Sequence, residues 1–264
     1  MSIKSFLTLC FTIFFSFQCQ TTSQSSGGSS SPKENVIQSK LGIIATYINS
    51  GKLRTALKEM NQLKRFESDR HDVQLMDGLV HLALDNYIKA EQGFKNSYKL
   101  KKTIPALLNL SSVYLKWRKI PKAIKALKMI ESKLETQKYQ FPERVYLNLG
   151  IAHVHSKQYD QAREYFHKSV QENPTYHVGW VQLGKQYQRK GKTKEALKAF
   201  RKGVQFCKNC IEPNVALSKF FLKNKNYVES VKLLTSYLKQ KKIDGRHRKI
   251  AGKLLKFSRK KFLR

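Results

Sequence analysis

Cys207 and Cys210 stand three positions apart. From that spacing two thiols can close a local disulfide, poise a redox centre or supply half of a zinc site. Each outcome asks for something more. A redox pair sits at a helix start beside a β-α-β pattern, which this sequence lacks, and tetrahedral zinc asks for two further ligands. The bridge asks only for an oxidising compartment, and free thiols are the remaining state. The seven histidines are scattered along the chain. A Gly-rich phosphate loop, a His-Glu-x-x-His pair and a nucleophile elbow are all missing from the sequence. The expectation is a chain that is not an enzyme, with no cofactor and no metal site.

What positions these side chains is an internal repeat. A small residue is followed four places later by an aromatic residue, Met or Leu at Ala56/Met60, Ala90/Phe94, Ala123/Leu127, Ala162/Phe166, Ala196/Phe200 and Ser230/Leu234. The spacings are 34, 33, 39, 34 and 34 residues. Twelve residues before each small residue stands Ile44, Gly78, Ser111, Gly150, Gly184 or Ser218. Three further on comes Tyr47, His81, Tyr114, His153, Tyr187 or Phe221. His81 and His153 therefore read as packing residues rather than ligands.

This pattern resembles the tetratricopeptide repeat. It is fullest in Leu149, Gly150, His153, Ala162, Phe166 and Pro174, and in Trp180, Leu183, Gly184, Tyr187, Gly191, Ala196 and Phe200. The resemblance implies an all-α, right-handed α-solenoid of about six repeats, each a pair of antiparallel helices whose small residues allow close approach. No single pair buries its own apolar face. Short loops are expected at Ser50-Gly51, Asp85-Asn86, Lys190-Gly191 and Asn224-Lys225-Asn226. The sixth repeat, with Ser218 and Ser230, departs furthest from the family pattern.

The N-terminal segment bears on compartment. After Lys4, the stretch Phe6 to Phe17 is apolar apart from Thr8, Thr12 and Ser16, the layout of a secretory signal and too short for a comfortable membrane span. Ser16-Phe17-Gln18-Cys19 followed by a polar tract resembles a bacterial lipoprotein signal, with Ser16 and Gln18 where that family carries an aliphatic and a small residue. The resemblance implies lipid on Cys19. The tract from Gln20 to Pro32 has no large apolar residue and reads as a flexible tether of about 20 Å reach. The expected organisation is a signal peptide at 1–18, a lipid-anchored linker at 19–35, a solenoid at 36–240 and a basic capping helix at 241–264. Export favours the local Cys207–Cys210 disulfide over the other states of that pair.

A lipoprotein-like signal, a Ser/Gly tether and six such repeats with a stretched third-to-fourth interval are together similar to the pilotin lipoproteins of type IV pilus biogenesis. The segments that carry the similarity include Ile43 to Gly51 and Asn148-Leu149-Gly150. It implies an outer-membrane lipoprotein facing the periplasm that helps a secretin subunit reach the membrane and oligomerise. Another envelope role for a tetratricopeptide lipoprotein is the alternative.

A solenoid of this family binds along the first helices of its units. One row of matching positions there is Leu41, Leu75, Leu108, Leu147, Val181 and Val215, apolar throughout. A second row reads Ala45, Leu79, Ser112, Ile151, Lys185 and Lys219, and a third ends in Arg189 and Lys223. Such a surface suits an amphipathic or partly acidic peptide segment laid along it. The alternative is that the aliphatic residues are inter-repeat core. The charge points the same way, because 51 Lys and Arg against 18 Asp and Glu leave +33 over 264 residues and attract anionic partners. Nucleic acid is not expected as a partner once the signal removes the chain from the cytoplasm; if the signal is misread, a basic nucleic-acid-binding protein is the reading that returns. From Lys239 to Arg264 there are 12 Lys and Arg and one acid. Ile250, Leu254 and Phe257 there predict an amphipathic helix after Gly245 that closes the sixth repeat, and the alternative adds attraction to anionic lipid.

Overall fold

The structure, a computed structural model, describes residues 31–240 and 243–263. The signal at 1–18, Cys19 and the tether as far as residue 30 lie outside the described residues. Among the described residues there are thirteen helices and no strand. They are α1 (Pro32–Asn49), α2 (Leu53–Phe66), α3 (His71–Ala83), α4 (Tyr87–Leu100), α5 (Ile104–Lys116), α6 (Ile120–Glu131), α7 (Pro142–His155), α8 (Tyr159–Glu172), α9 (His177–Arg189), α10 (Thr193–Phe206), α11 (Ile211–Lys223), α12 (Tyr227–Leu238) and α13 (Gly245–Phe262). None of the described helices is long and apolar enough to cross a membrane.

The chain divides into two compact units, one ending at Tyr139 and the other beginning at Gln140. The first contains the pairs α1/α2, α3/α4 and α5/α6, and the second contains α7/α8, α9/α10, α11/α12 and the final helix α13. The division falls in the stretched 39-residue interval, where residues 132–138 run through turns before α7 begins.

Within each pair the turn has one geometry. Gly51, Asp85, Arg118, Lys157, Gly191 and Lys225 all have positive φ, between 56° and 74°, at the same 34, 33, 39, 34 and 34 spacing as the repeat. The residue after each donates its N–H back to the carbonyl at the aromatic position: Lys52 to Tyr47, Asn86 to His81, Lys119 to Tyr114, Gln158 to His153, Lys192 to Tyr187 and Asn226 to Phe221, at 2.8–3.0 Å. This is a Schellman termination, which satisfies the last carbonyls of the first helix and aims the chain into the second.

The alignment positions are where the pairs close. Ala56, Ala90, Ala123, Ala162, Ala196 and Ser230 are fully buried, as are Met60, Phe94, Leu127, Phe166 and Leu234, with Phe200 at 1%. Gly78, Gly150 and Gly184 lie against the rings of Phe94, Phe166 and Phe200. In the sixth repeat the two serines have a structural use that the family pattern does not suggest. Ser218 Oγ, Ser230 Oγ and Ser258 Oγ form a buried hydroxyl chain with links of 2.7 and 2.9 Å, and Ser258 donates onward to the Leu254 carbonyl at 2.9 Å. It ties α11 and α12 to α13.

Loops between pairs are pinned by one register position. Four residues before Gly78, Gly184 and Ser218 stand Gln74, Trp180 and Asn214, and each donates a side-chain N–H to the carbonyl six residues upstream: Ser68 at 2.7 Å, Pro174 at 2.7 Å and Lys208 at 2.9 Å. Those carbonyls would otherwise need water or lie unpaired.

At the start, the expected linker of 19–35 is too long. Pro32 begins α1, Ser31 caps it by accepting from the Glu34 N–H, and Glu34 is held by a two-bonded contact with Arg70 at 2.6 and 2.9 Å. A capped N-terminus anchored to the next repeat is worth more than the polar composition suggests. At the end, α13 covers the sixth pair through Ile250, Ala251, Leu254 and Leu255, which pack with Ile211, Leu234 and Tyr237. Phe257, expected in that stripe, is instead 50% exposed, and Ser258 takes the inward place.

Candidate functional site

The proposed groove rows separate once burial is known. Leu41, Leu79, Leu108, Leu147 and Val181 are buried, with at most 9% exposure. They are core rather than a free surface. Within the second unit the reason is that a helix pair is covered by the pair that follows it: Val181 packs with Leu217, Phe220 and Phe221 of α11, and Leu147 with Leu183 of α9. Leu75, Ile151 and Val215 are half-buried, and Val215 leans on the cluster that α13 closes. Leu41, Leu75 and Leu79 also line one small cleft with Gln38 and Asp72, of about 50 Å³, room for the tip of a side chain rather than a small-molecule ligand.

The cationic members behave differently. Arg189, Lys219 and Lys223 are exposed and Lys185 is half-buried, on two first helices, α9 and α11, that touch each other. Lys185 Nζ donates to Gln182 Oε1 at 3.4 Å, and Arg189 stacks 3.8 Å over the Tyr159 ring. Stacking fixes the guanidinium plane while leaving its N–H groups outward. Among the described residues Lys219 and Lys223 pair with no acid. One carboxyl does sit nearby: burial pushes Glu212 up from the usual range, and the charge of Lys185 opposes that. The arrangement offers anchored and free cations side by side, suited to carboxylates carried on a protein segment.

Histidines of the repeat are packing residues. His153 shares a 2.8 Å hydrogen bond with Gln158 and stacks on Tyr165, ring centres 5.2 Å apart. His81 lies 3.6 Å from buried Asp77, which accepts from Lys64 at 2.6 Å; burial lowers the His81 pKa in spite of that carboxylate and favours the neutral ring.

Cys207 and Cys210 are joined as a disulfide. Cys207 ends α10, Cys210 caps α11, and the Cys210 N–H donates to the Cys207 carbonyl at 3.2 Å. Beside them is His177, the first residue of α9, with a ring nitrogen within 4.8 Å of both sulfurs and all three side chains half-buried. Sequence reasoning missed it because it lies 30 residues upstream. The repeat register carried the signal. The position seven before Gly78 and Gly150 meets the end of its own second helix, where Ser97 and Ser169 donate to the carbonyls of His71 and Glu143 at 2.7 and 2.9 Å, and His177 is that position in the fifth repeat.

Comparison with known proteins agrees with this architecture. The family model for the Tetratricopeptide repeat protein 21 C-terminal ARM domain matches residues 41–251. No curated protein matches the chain. Among solved structures, one from the functional characterization of Pseudomonas aeruginosa pilF is 13% identical with a TM-score of 0.63, covering 84% of this chain and 99% of that one. PilW, a type IV pilus biogenesis factor, is 14% identical with a TM-score of 0.64, covering 81% and 98%. A tetratricopeptide repeat protein from Parabacteroides merdae is 15% identical with a TM-score of 0.65, covering 87% and 86%. At these identities the likeness is one of fold. With four-fifths of its length inside the family match, the chain belongs to the tetratricopeptide-type repeat family described as the Tetratricopeptide repeat protein 21 C-terminal ARM domain.

Proposed function

We propose that this chain is a non-catalytic scaffold of the cell envelope that captures an acidic protein segment along α9 and α11, with pilotin-like delivery of a type IV pilus secretin subunit as its specific role. The observation that carries the reading is the exposed set Arg189, Lys219 and Lys223 beside Lys185 on two touching first helices. The shared fold with PilF and PilW over more than 80% of the chain supports the pilus version. Export, a lipid on Cys19 and an outer-membrane address facing the periplasm belong to the same proposal and are supported by the signal-like start of the sequence.

The test is co-expression of the tagged chain with the type IV pilus secretin of the same cell. Wild type should co-purify with the secretin subunit and raise the yield of its multimer, whereas Lys219→Glu with Lys223→Glu should slow association by a factor that vanishes at high salt. Equal secretin capture by the folded double variant would remove α9 and α11 as the site. Fatty-acid labelling of wild type but not Cys19→Ser tests the anchor. Protease access in spheroplasts but not intact cells tests the address; protection in both would return the chain to the cytoplasm and to an anionic partner such as nucleic acid.

A further inference from the structure

We propose that Cys207, Cys210 and His177 form a second, metal-holding state of the loop between the fifth and sixth repeats: when the disulfide is reduced, the two thiolates and the imidazole bind one zinc-class ion. The inference is independent of partner capture and concerns a different part of the second unit.

Three ligands of types that suit zinc already converge, their donor atoms within 4.8 Å of one another and all half-buried, so an ion can enter from solvent. Two Cys and one His leave a fourth tetrahedral position for water. Little movement is asked of the backbone. With Zn–S bonds of about 2.3 Å, two sulfurs on one tetrahedron stand about 3.8 Å apart, and the Cα atoms here are 5.3 Å apart, a separation from which side-chain rotation alone can part the sulfurs. The loop is also held without the bridge. Asn214, 2% exposed, donates to the Lys208 and Cys210 carbonyls at 2.9 and 2.8 Å, and Gln240 donates to Lys208 at 3.2 Å. These bonds keep both cysteines facing His177 when the S–S bond opens, which is the preorganisation a small site needs.

The chemistry balances with a dithiol as reductant. Two electrons and two protons pass from the dithiol to the bridge, leaving two protein thiols and the reductant as its own disulfide. Zinc then forms two Zn–S bonds as both thiol protons leave to solvent, and a ring nitrogen of His177 donates its lone pair. In an oxidising compartment the loop is closed by the covalent bridge, and in a reducing one by the ion.

The experiment uses the full chain, reduced under anaerobic conditions, freed of dithiol and titrated with Co2+ as a spectroscopic stand-in for Zn2+. One equivalent should produce a near-ultraviolet thiolate-to-cobalt band and the intense visible bands of a tetrahedral ion, both erased by Zn2+. The oxidised chain should show neither. His177→Gln should keep its helix content and its ability to form the bridge, yet bind at least tenfold more weakly with altered visible bands. Cys207→Ser should lose most of the charge-transfer intensity. Absence of that band in reduced wild type, or a His177→Gln titration superimposable on wild type, would overturn the proposal.

Discussion

A Cβ added to Gly150 would stand 2.5 Å from Cε1 of Phe166, and the same relation ties Gly78 to Phe94 and Gly184 to Phe200 at 2.7 and 2.8 Å. Where the matching position of the second helix is not Phe, that of the first is not glycine: Ser111 goes with Leu127, Ser218 with Leu234 and Ile44 with Met60. The two positions trade volume. Gly150→Ala gains about 1 kcal/mol of helix propensity, but overpacking costs about 1–3 kcal/mol, and Phe166 has no exposed side from which to yield. A net loss of about 1 kcal/mol is expected from urea denaturation. Gly150→Ser with Phe166→Leu, copying the third and sixth repeats, should cost less than the sum of its single changes by more than about 0.5 kcal/mol. Simple additivity would mean that the two positions do not share a packing site.

The turns offer a gain rather than a loss. Arg118 and Lys157 both sit at φ 61°, where Gly51 and Gly191 sit in their own repeats at 73° and 74°. An L-residue side chain is disfavoured there by about 1–2 kcal/mol, and glycine gives back part of that through its freer unfolded chain. Lys157→Gly should therefore raise stability by about 0.5–1 kcal/mol, and Gly191→Ala should lower it by a similar amount. Opposite signs in thermal unfolding are the expected readout, and a destabilised Lys157→Gly would sink the argument.

The hydroxyl chain of the sixth repeat makes an ordered prediction. Ser230 is its middle member, bonded to Ser218 at 2.7 Å and Ser258 at 2.9 Å, so Ser230→Ala strands the buried Ser218 hydroxyl. About 1–3 kcal/mol is expected for that. Ser258→Ala removes an end and leaves Ser218 and Ser230 paired, at about 0.5–1.5 kcal/mol. Hydrogen exchange should show the larger loss of α13 protection for the end variant, because only Ser258 belongs to that helix.

How much of this was legible depended on whether a feature repeats. Ala162, Phe166 and their counterparts were readable because one packing constraint recurs six times, and it fixed the helix pairs, their turns and their order. The start of α1 was present as Ser31-Pro32-Lys33-Glu34, a capping box with Pro at the first helical position. A polar composition up to Pro32 hid it. Helical period places Leu41, Leu79 and Val181 on the first-helix face, but whether that face is free depends on the next repeat's side chains, and Leu217, Phe220 and Phe221 cover Val181. Charge survived that test where hydrophobicity did not, since Lys219 and Lys223 stay exposed. His177 needed knowledge of how far one repeat reaches into its own second helix.

Acid should loosen α1 before the rest of its unit. Hydrogen bonds from Arg70, then from Gln38, hold the Glu34 carboxyl below its usual range. At Asp72 burial pushes upward, but the Arg70 hydrogen bond and charge outweigh it and the net shift is downward. Carboxylates lowered by folding contribute stability that is fully present above the unfolded value, near 4, and lost as pH falls through the folded one. Protection of α1 in hydrogen exchange should therefore hold from neutral pH down to about 4 and decline below it. Arg70→Met should weaken α1 at neutral pH and flatten this dependence. An unchanged acid profile in that variant would show that the network does not anchor α1.

The loop at 207–210 is held in two ways that act on different states of the chain. The bridge restricts the unfolded chain, and closing so short a loop is worth about 2 kcal/mol in the chain-entropy account, against about 3 for 15 residues. Asn214 acts on the folded state, donating to the Lys208 and Cys210 carbonyls from a nearly closed position. Asn214→Leu removes both bonds and should cost about 1–3 kcal/mol. Because one effect works through the unfolded ensemble and the other through native hydrogen bonds, the two losses should add within about 0.5 kcal/mol when Asn214→Leu is unfolded in urea with and without the bridge. Additive losses mean that the reduced loop keeps its folded placement, the condition that lets Cys207 and Cys210 turn toward His177 with the bond open. A much smaller Asn214 effect in the reduced chain would mean that the loop comes apart with the bridge and presents no ready-made site.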